Sequence, residues 1–195
     1  MSPRTAEQFE NIRQKKKRII MDAALKVISQ KGYHGTSIAA IAKESGVSKG
    51  LMYNYFRSKE ELLVEIMKDG YSRVFEKFVI DKNLSPEENV TQMISVTFDV
   101  MEEMKETIRI YFSIMMETDV FNLVKELLNE LSEPYMEDFA KLMAELGFEN
   151  PMAEAYFLRF ILDGISINYL MFPGEFPKEY CIERFKQIYN VKFKI

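Results

Sequence analysis

The chain has 195 residues, 47% of them hydrophobic, which makes disorder an unsuitable description and supplies ample apolar surface for a buried core. Its longest charge-free stretches, such as the one between Gly164 and Gly174, fall far short of the ~20 apolar residues of a membrane-spanning helix, and the charged N-terminus lacks the apolar segment of a secretory signal. The formal net charge of −4 hides an asymmetry: residues 1–60 hold 12 Lys/Arg against 5 Asp/Glu, and residues 61–195 hold 14 against 25, a basic head on an acidic body that suits contact with a polyanion at one end only.

Between the prolines and glycines, apolar residues recur at spacings of three and four, so the fold is expected to be all-α. Helix one is expected from Asn11 to Gln30, burying Ile19, Ile20, Ala23, Ala24, Val27 and Ile28 behind the basic run Lys15-Lys16-Lys17-Arg18. Gly32 and Gly35 end it, and the lone His34 between them reads as a loop residue with no ligand or catalytic role. Thr36 or Ser37 can cap a short second helix, Ile38 to Glu44, which Gly46 closes in the left-handed conformation. Ser48 caps an equally short third helix, and Ser58-Lys59-Glu60-Glu61 has the form of a capping box opening a long helix four from Lys59 to about Val79.

Beyond the polar stretch from Asp81 to Pro86, further helices are expected near Pro86–Lys105, Thr107–Glu117, Val120–Leu146, Pro151–Phe172 and Lys178–Tyr189. The link Pro173-Gly174-Glu175-Phe176-Pro177 joins the last two as an antiparallel pair. The single cysteine, Cys181, cannot form an internal disulfide; it is expected to be a core-facing thiol in a reducing, cytoplasmic setting.

The segment from Ile41 to Met52 has the spacing that two tightly crossed helices require. Ala42 is small at the approach, Gly46 tolerates positive φ in the turn, and Ile41, Val47, Met52 and Phe56 can fill the wedge. Ser48, Lys49, Tyr53, Asn54 and Tyr55 then cluster hydrogen-bonding groups on a helix too short to need them for stability, with Lys59 at the next helix start, as a groove lined by phosphates would ask.

Together, Thr36-Ser37-Ile38, Gly46-Val47-Ser48-Lys49-Gly50, Tyr53-Asn54-Tyr55-Phe56 and Ser58-Lys59-Glu60-Glu61-Leu62-Leu63 resemble the DNA-binding head of the TetR (tetracycline-repressor-like) family over about 50 residues, from roughly Lys17 to Ile66. The resemblance implies a three-helix helix-turn-helix head in residues 1–60, joined by helix four to a helical ligand-binding and dimerisation domain in residues 61–195. It implies phosphate contacts at Thr36 and Ser37, with Ser48 at the start of the recognition helix. Lys49 and Gly50 would meet base edges, Tyr53 and Tyr55 the backbone or thymine methyls beside Asn54, and Lys59 a phosphate. Two positions depart from the family's pattern: Leu51 stands where Thr is usual, trading a phosphate hydrogen bond for apolar contact, and Ala39 where a longer polar side chain is common.

The body is rich in Met and aromatic residues. Most are ordinary core, but flexible Met among rigid rings also makes adaptable walls for a lipophilic guest, and Tyr71, Phe75, Phe98, Met101, Tyr111, Met115, Phe139, Phe160 and Asp163 are the candidates for an effector site. Glu117, Arg159 and Asn168 are further groups that could fix a ligand's polar end or face solvent. The last two helices are the expected homodimer interface, since the first of them is apolar around most of its circumference, and in the resembled family such a pair forms a four-helix bundle across a two-fold axis. A small effector wedged against Gly70, Tyr71, Val74 or Phe75 would tilt helix four and respace the two heads.

Catalysis finds little support. One His and one Cys without a supporting signature, no His-Glu-x-x-His pattern, and no glycine pair two residues apart leave no nucleophile, metal site or dinucleotide loop to propose, so no metal and no cofactor are expected. The expected function is a ligand-responsive DNA-binding regulator with double-stranded operator DNA, a second copy of itself and a small effector as partners, and no membrane. A helical interaction module, or a regulator whose ligand promotes DNA binding, remains the alternative.

Overall fold

The structure is a computed structural model describing residues 5–190, which form eight helices and no strand. The first, α1 (Ala6–Lys31), starts earlier than its apolar stripe suggests. Thr5 accepts from the Gln8 amide (3.2 Å) while the Gln8 side chain accepts from the Thr5 amide (3.1 Å), a reciprocal cap that starts a polar turn with no hydrophobic periodicity of its own. Of the expected stripe, Ile20, Ala23, Ala24, Val27 and Ile28 are buried, but Ile19 is 44% exposed and Met21 is buried instead.

Helix α2 (Ile38–Ser45) is capped by Ser37, whose Oγ accepts from the Ala40 amide, and ends at Gly46 with φ 68° and ψ 24°, where any side chain would be strained. Helix α3 (Lys49–Tyr53) is capped by Ser48, which accepts from the Leu51 amide. Helix α4 (Lys59–Phe75) opens with the Glu61 amide donating to Ser58 Oγ, but the Glu61 carboxylate reaches the amide of Arg57, so the expected capping box is displaced by one residue. The helix ends four residues before Val79. The amides of Lys77 and Phe78 fold back to the carbonyls three residues earlier, and the run Phe78-Val79-Ile80, aromatic then β-branched, is poor helix material. An Asx turn follows, with Asp81 Oδ1 accepting from the Asn83 amide, and buried Asn89 ties the whole connection down by bonding the backbone of Asp81 in both directions.

The two helices expected between Pro86 and Glu117 are one, α5 (Pro86–Met115), interrupted only by non-helical geometry at Met104 (φ −115°, ψ 16°). Helix α6 (Thr118–Glu145) runs through Pro134, which has no N–H; proline and the residue four before it, Glu130, both lie on the exposed side, where water can serve the orphaned carbonyl. Helix α7 (Pro151–Met171) has Asn150 as cap and proline at its first position, and α8 (Lys178–Asn190) completes the chain's described part.

The chain forms two compact units. One comprises the residues up to Asp69 together with Ile110–Lys125; the other comprises Gly70–Arg109 and the residues from Glu126 on. The first unit thus extends past residue 60, because Leu62, Leu63, Ile66 and Met67 of α4 are all within its core, and it includes buried Tyr111, Ile114, Val120 and Val124 from the end of α5 and the start of α6. Arg18 pairs with Asp69 (2.7 Å) and Lys17 with Glu65 (3.7 Å), so half of the basic run on α1 is spent on α4. The second unit buries Val90, Ile94 and Phe98 of α5, Met136 and Met143 of α6, Leu158 of α7 and Phe185 of α8. No helix among the described residues is long and apolar enough to cross a membrane.

Candidate nucleic-acid interface

The wedge between α2 and α3 is made as its residue types require. Ile41, Ala42, Met52 and Phe56 are fully or almost fully buried and Val47 nearly so, and the Val47 amide donates to the Ala42 carbonyl (3.0 Å) across the Gly46 turn. Burial of Met52 and Phe56 contributes about 2–3 kcal/mol each, enough to hold a helix of five residues that would not form alone.

With those side chains turned inward, the opposite face of α3 is set by the helical period. Lys49, Gly50, Leu51, Tyr53 and Asn54 are exposed, Leu51 at 37%. Ser37 and Ser48 are exposed as well; each hydroxyl oxygen accepts from its own helix and so retains its O–H for an outside acceptor. Tyr55 is half-buried, its amide donating to the Met52 carbonyl in the turn that ends α3.

Two residues sit differently from the expectation. Thr36 is only 3% exposed, its hydroxyl donating inward to the Gly32 carbonyl (2.7 Å). Lys59 is half-buried with Nζ donating to the carbonyls of Tyr33 (3.0 Å) and Thr36 (3.2 Å), and it lies 4.2 Å from the centre of the Tyr33 ring. A cation at a helix start is unfavourable by itself. Here it is compensated by two carbonyls, an aromatic face and the neighbouring Glu60, whose carboxyl is held below its usual range by its own helix's amide and by Ser58. The Tyr33 hydroxyl is pushed up to about 12, first by burial and then by the Glu60 charge. Sequence spacing could not have shown this arrangement, because it joins residues 23 and 26 positions apart.

The residues expected to line an effector site are divided between the two units. Tyr111 and Met115 belong to the first unit, where the Tyr111 hydroxyl donates to the Ile66 carbonyl. In the second unit Tyr71 and Phe75 are half-buried, and Phe75 stacks on Tyr135 with centroids 4.7 Å apart. Phe98 is buried against the edge of Tyr169, with Lys178 Nζ 4.9 Å from its ring centre, and Met101 and Phe139 are buried. Phe160 is 64% exposed, and Asp163 points outward with its carboxylate 3.5 Å from Arg159; the helical period turns both away from buried Leu158 and Leu162. Cys181 is half-buried on α8, and burial pushes its thiol pKa up.

Two short helices crossing at a left-handed glycine, wedged by four apolar side chains and presenting a basic, polar face, define a helix-turn-helix head. Residues 20–66 match the family model described as "Bacterial regulatory proteins, tetR family", so the head is a domain of that type. The chain is 30% identical over 162 residues to the uncharacterized HTH-type transcriptional regulator YuxN of Bacillus subtilis, a match covering 80% of this chain and 54% of that one. It is 33% identical over 84 residues to the fatty acid metabolism regulator protein of the same organism, covering 42% of this chain and 43% of that one. The chain spans about half the length of these curated relatives. Its fold is similar to that of the transcriptional regulator FadR of Bacillus subtilis in complex with stearoyl-CoA, with a TM-score of 0.65 at 19% identity, covering 88% of this chain and 96% of that one.

Proposed function

We propose that the protein is a ligand-responsive transcriptional repressor that binds a pseudo-palindromic operator as a homodimer in the cytoplasm. The observation that carries this reading is the exposed face of α3, where the side chains of Lys49, Leu51, Tyr53 and Asn54 and the bare backbone of Gly50 face outward on the unit that bears the chain's excess of positive charge. Lys49 donates to a base edge, and Gly50 lets the backbone approach the groove floor. Ser37, Ser48 and Tyr55 bind phosphate or sugar. Thr36 and Lys59 act one step back by fixing the loop that positions Ser37, with the third N–H of Lys59 left for phosphate.

Dimerisation is assigned to the outward side of α7 and α8, where Tyr156, Phe157, Phe160, Met171, Phe172 and Tyr180 are all exposed in the single chain. A two-fold axis there would place two heads on successive major grooves, about 34–36 Å apart. The effector is assigned to the class of amphipathic molecules with a long apolar chain, which suits the Met and aromatic content of the second unit around Tyr71, Phe75, Phe98, Met101 and Phe139 and agrees with the acyl-CoA held by the structural relative. Helix α4 contributes Lys59–Asp69 to one unit and Gly70–Phe75 to the other, so an effector against its second half would act on its first.

Selection of bound sequences from a pool of random duplexes, run with and without stearoyl-CoA, tests the reading. The expected result is one palindrome with a fixed half-site spacing, bound about 5–150-fold more weakly when effector is present. Recovery of no preferred sequence would refute the regulator; a palindrome bound equally or better with effector would refute release.

A further inference from the structure

His34, the only histidine in the chain, stands in the loop between α1 and α2 with its Nε2 3.0 Å from Glu117 Oε2 and 3.2 Å from Asp119 Oδ2. The three ligand atoms all lie within 4.8 Å of one another. All three residues belong to the first unit, and the backbone carrying each is fixed. On one side the Gly32 amide donates to the Ile28 carbonyl, the Thr36 hydroxyl to Gly32, and Lys59 to the carbonyls flanking His34 and Gly35. On the other, only Met116 and Glu117 separate α5 from α6; the Glu117 amide donates to Ile114 and its carbonyl accepts from Phe121 (2.8 Å).

We infer that His34, Glu117 and Asp119 form a binding site for a divalent transition-metal ion. An imidazole nitrogen carries one proton or one lone pair, so two carboxylates turned on it share at most a single N–H, whereas a cation among the three meets all of them. Metal bonds of ~2.0–2.2 Å to nitrogen and oxygen put neighbouring ligand atoms about 3–3.5 Å apart, close to the 3.0 and 3.2 Å that His34 makes with the two acids. Two carboxylates neutralise a doubly charged ion, and the imidazole favours zinc, manganese or another first-row metal over magnesium or calcium. A helix N-terminus explains one acidic residue at the start of α6, but not two whose oxygens converge on one ring nitrogen. The Tyr33 ring, 4% exposed, meets His34 edge-on at 5.6 Å and limits the positions the imidazole can take. The ion would pin the loop that carries the α2 cap to the corner between α5 and α6.

The test uses the untagged full chain and zinc chloride, followed by proton NMR of the His34 ring, whose signals need no assignment in a chain with one histidine. One equivalent of zinc should move or broaden them to completion, and an equal concentration of magnesium should leave them in place. Asp119→Asn and Glu117→Gln keep the probe and remove a ligand at partly or fully exposed positions, so folding is retained; each should weaken the zinc response about ten-fold or more. An unmoved His34 signal at one equivalent, a magnesium response equal to that of zinc, or variants that titrate like the wild type would each overturn the site.

Discussion

Gly50→Ala separates the stability of the head from its contact with DNA. Gly50 lies in α3 at an ordinary helical φ, and a Cβ built there meets nothing within 4 Å. The substitution therefore removes the entropy cost of glycine without a clash, worth about 0.5–1 kcal/mol. For a chain of this size that raises Tm by about 1–4 °C, at ~2–4 °C per kcal/mol. On DNA the sign reverses, because α3 is held at both ends, by the Ser48 cap and by buried Met52, and cannot retreat from the added methyl group. Loss of close approach is expected to weaken binding by about ten-fold, or ~1.4 kcal/mol. Thermal melts and fluorescence anisotropy on the selected duplex, at one fixed salt concentration, read the two effects separately. Higher Tm with unchanged affinity would refute the placement of Gly50 at the groove. Lower Tm would refute the open-space argument itself.

The two lysines are expected to part company. Lys49→Ala should relax preference at one base-pair position by about 1–3 kcal/mol and leave Tm in place, since that side chain is exposed. Lys59→Ala should weaken binding to every duplex alike and also lower stability by about 1–2 kcal/mol, through the lost bonds to Tyr33 and Thr36; a specificity change without a Tm change would exchange their roles. Phe160→Asp, at an exposed position of α7, should leave the folded chain's stability within about 0.5 kcal/mol but convert dimer to monomer in sedimentation velocity. A dimer that survives it would move the interface elsewhere.

What the sequence made legible is what local chemistry dictates. Ser37, Gly46 and Ser48 announce helix ends because a short polar side chain or a left-handed glycine acts within three or four residues of itself, and the wedge of Ile41, Val47, Met52 and Phe56 follows from periodicity. Where signals are non-local, the sequence is silent. Thr36 had a hydroxyl suited to phosphate, but its burial depends on how Gly32 closes α1. His34 seemed an idle loop residue because its partners lie 83 and 85 positions away, at a corner whose helix boundaries periodicity could only approximate. Phe160 and Asp163 were grouped with core aromatics by composition, whereas the phase of α7, fixed by Leu158 and Leu162, turns them outward.

The division of labour within α3 bears on how such a protein changes over generations. Its hold on the rest of the chain rests on Met52 and the Phe56 just beyond it, together with a serine cap, while Lys49, Gly50, Leu51, Tyr53 and Asn54 owe the interior almost nothing. Mutations at those five positions are filtered by the sequence they meet outside and hardly at all by folding. Copies of the gene could thus drift to new targets one side chain at a time, each intermediate as well folded as its parent.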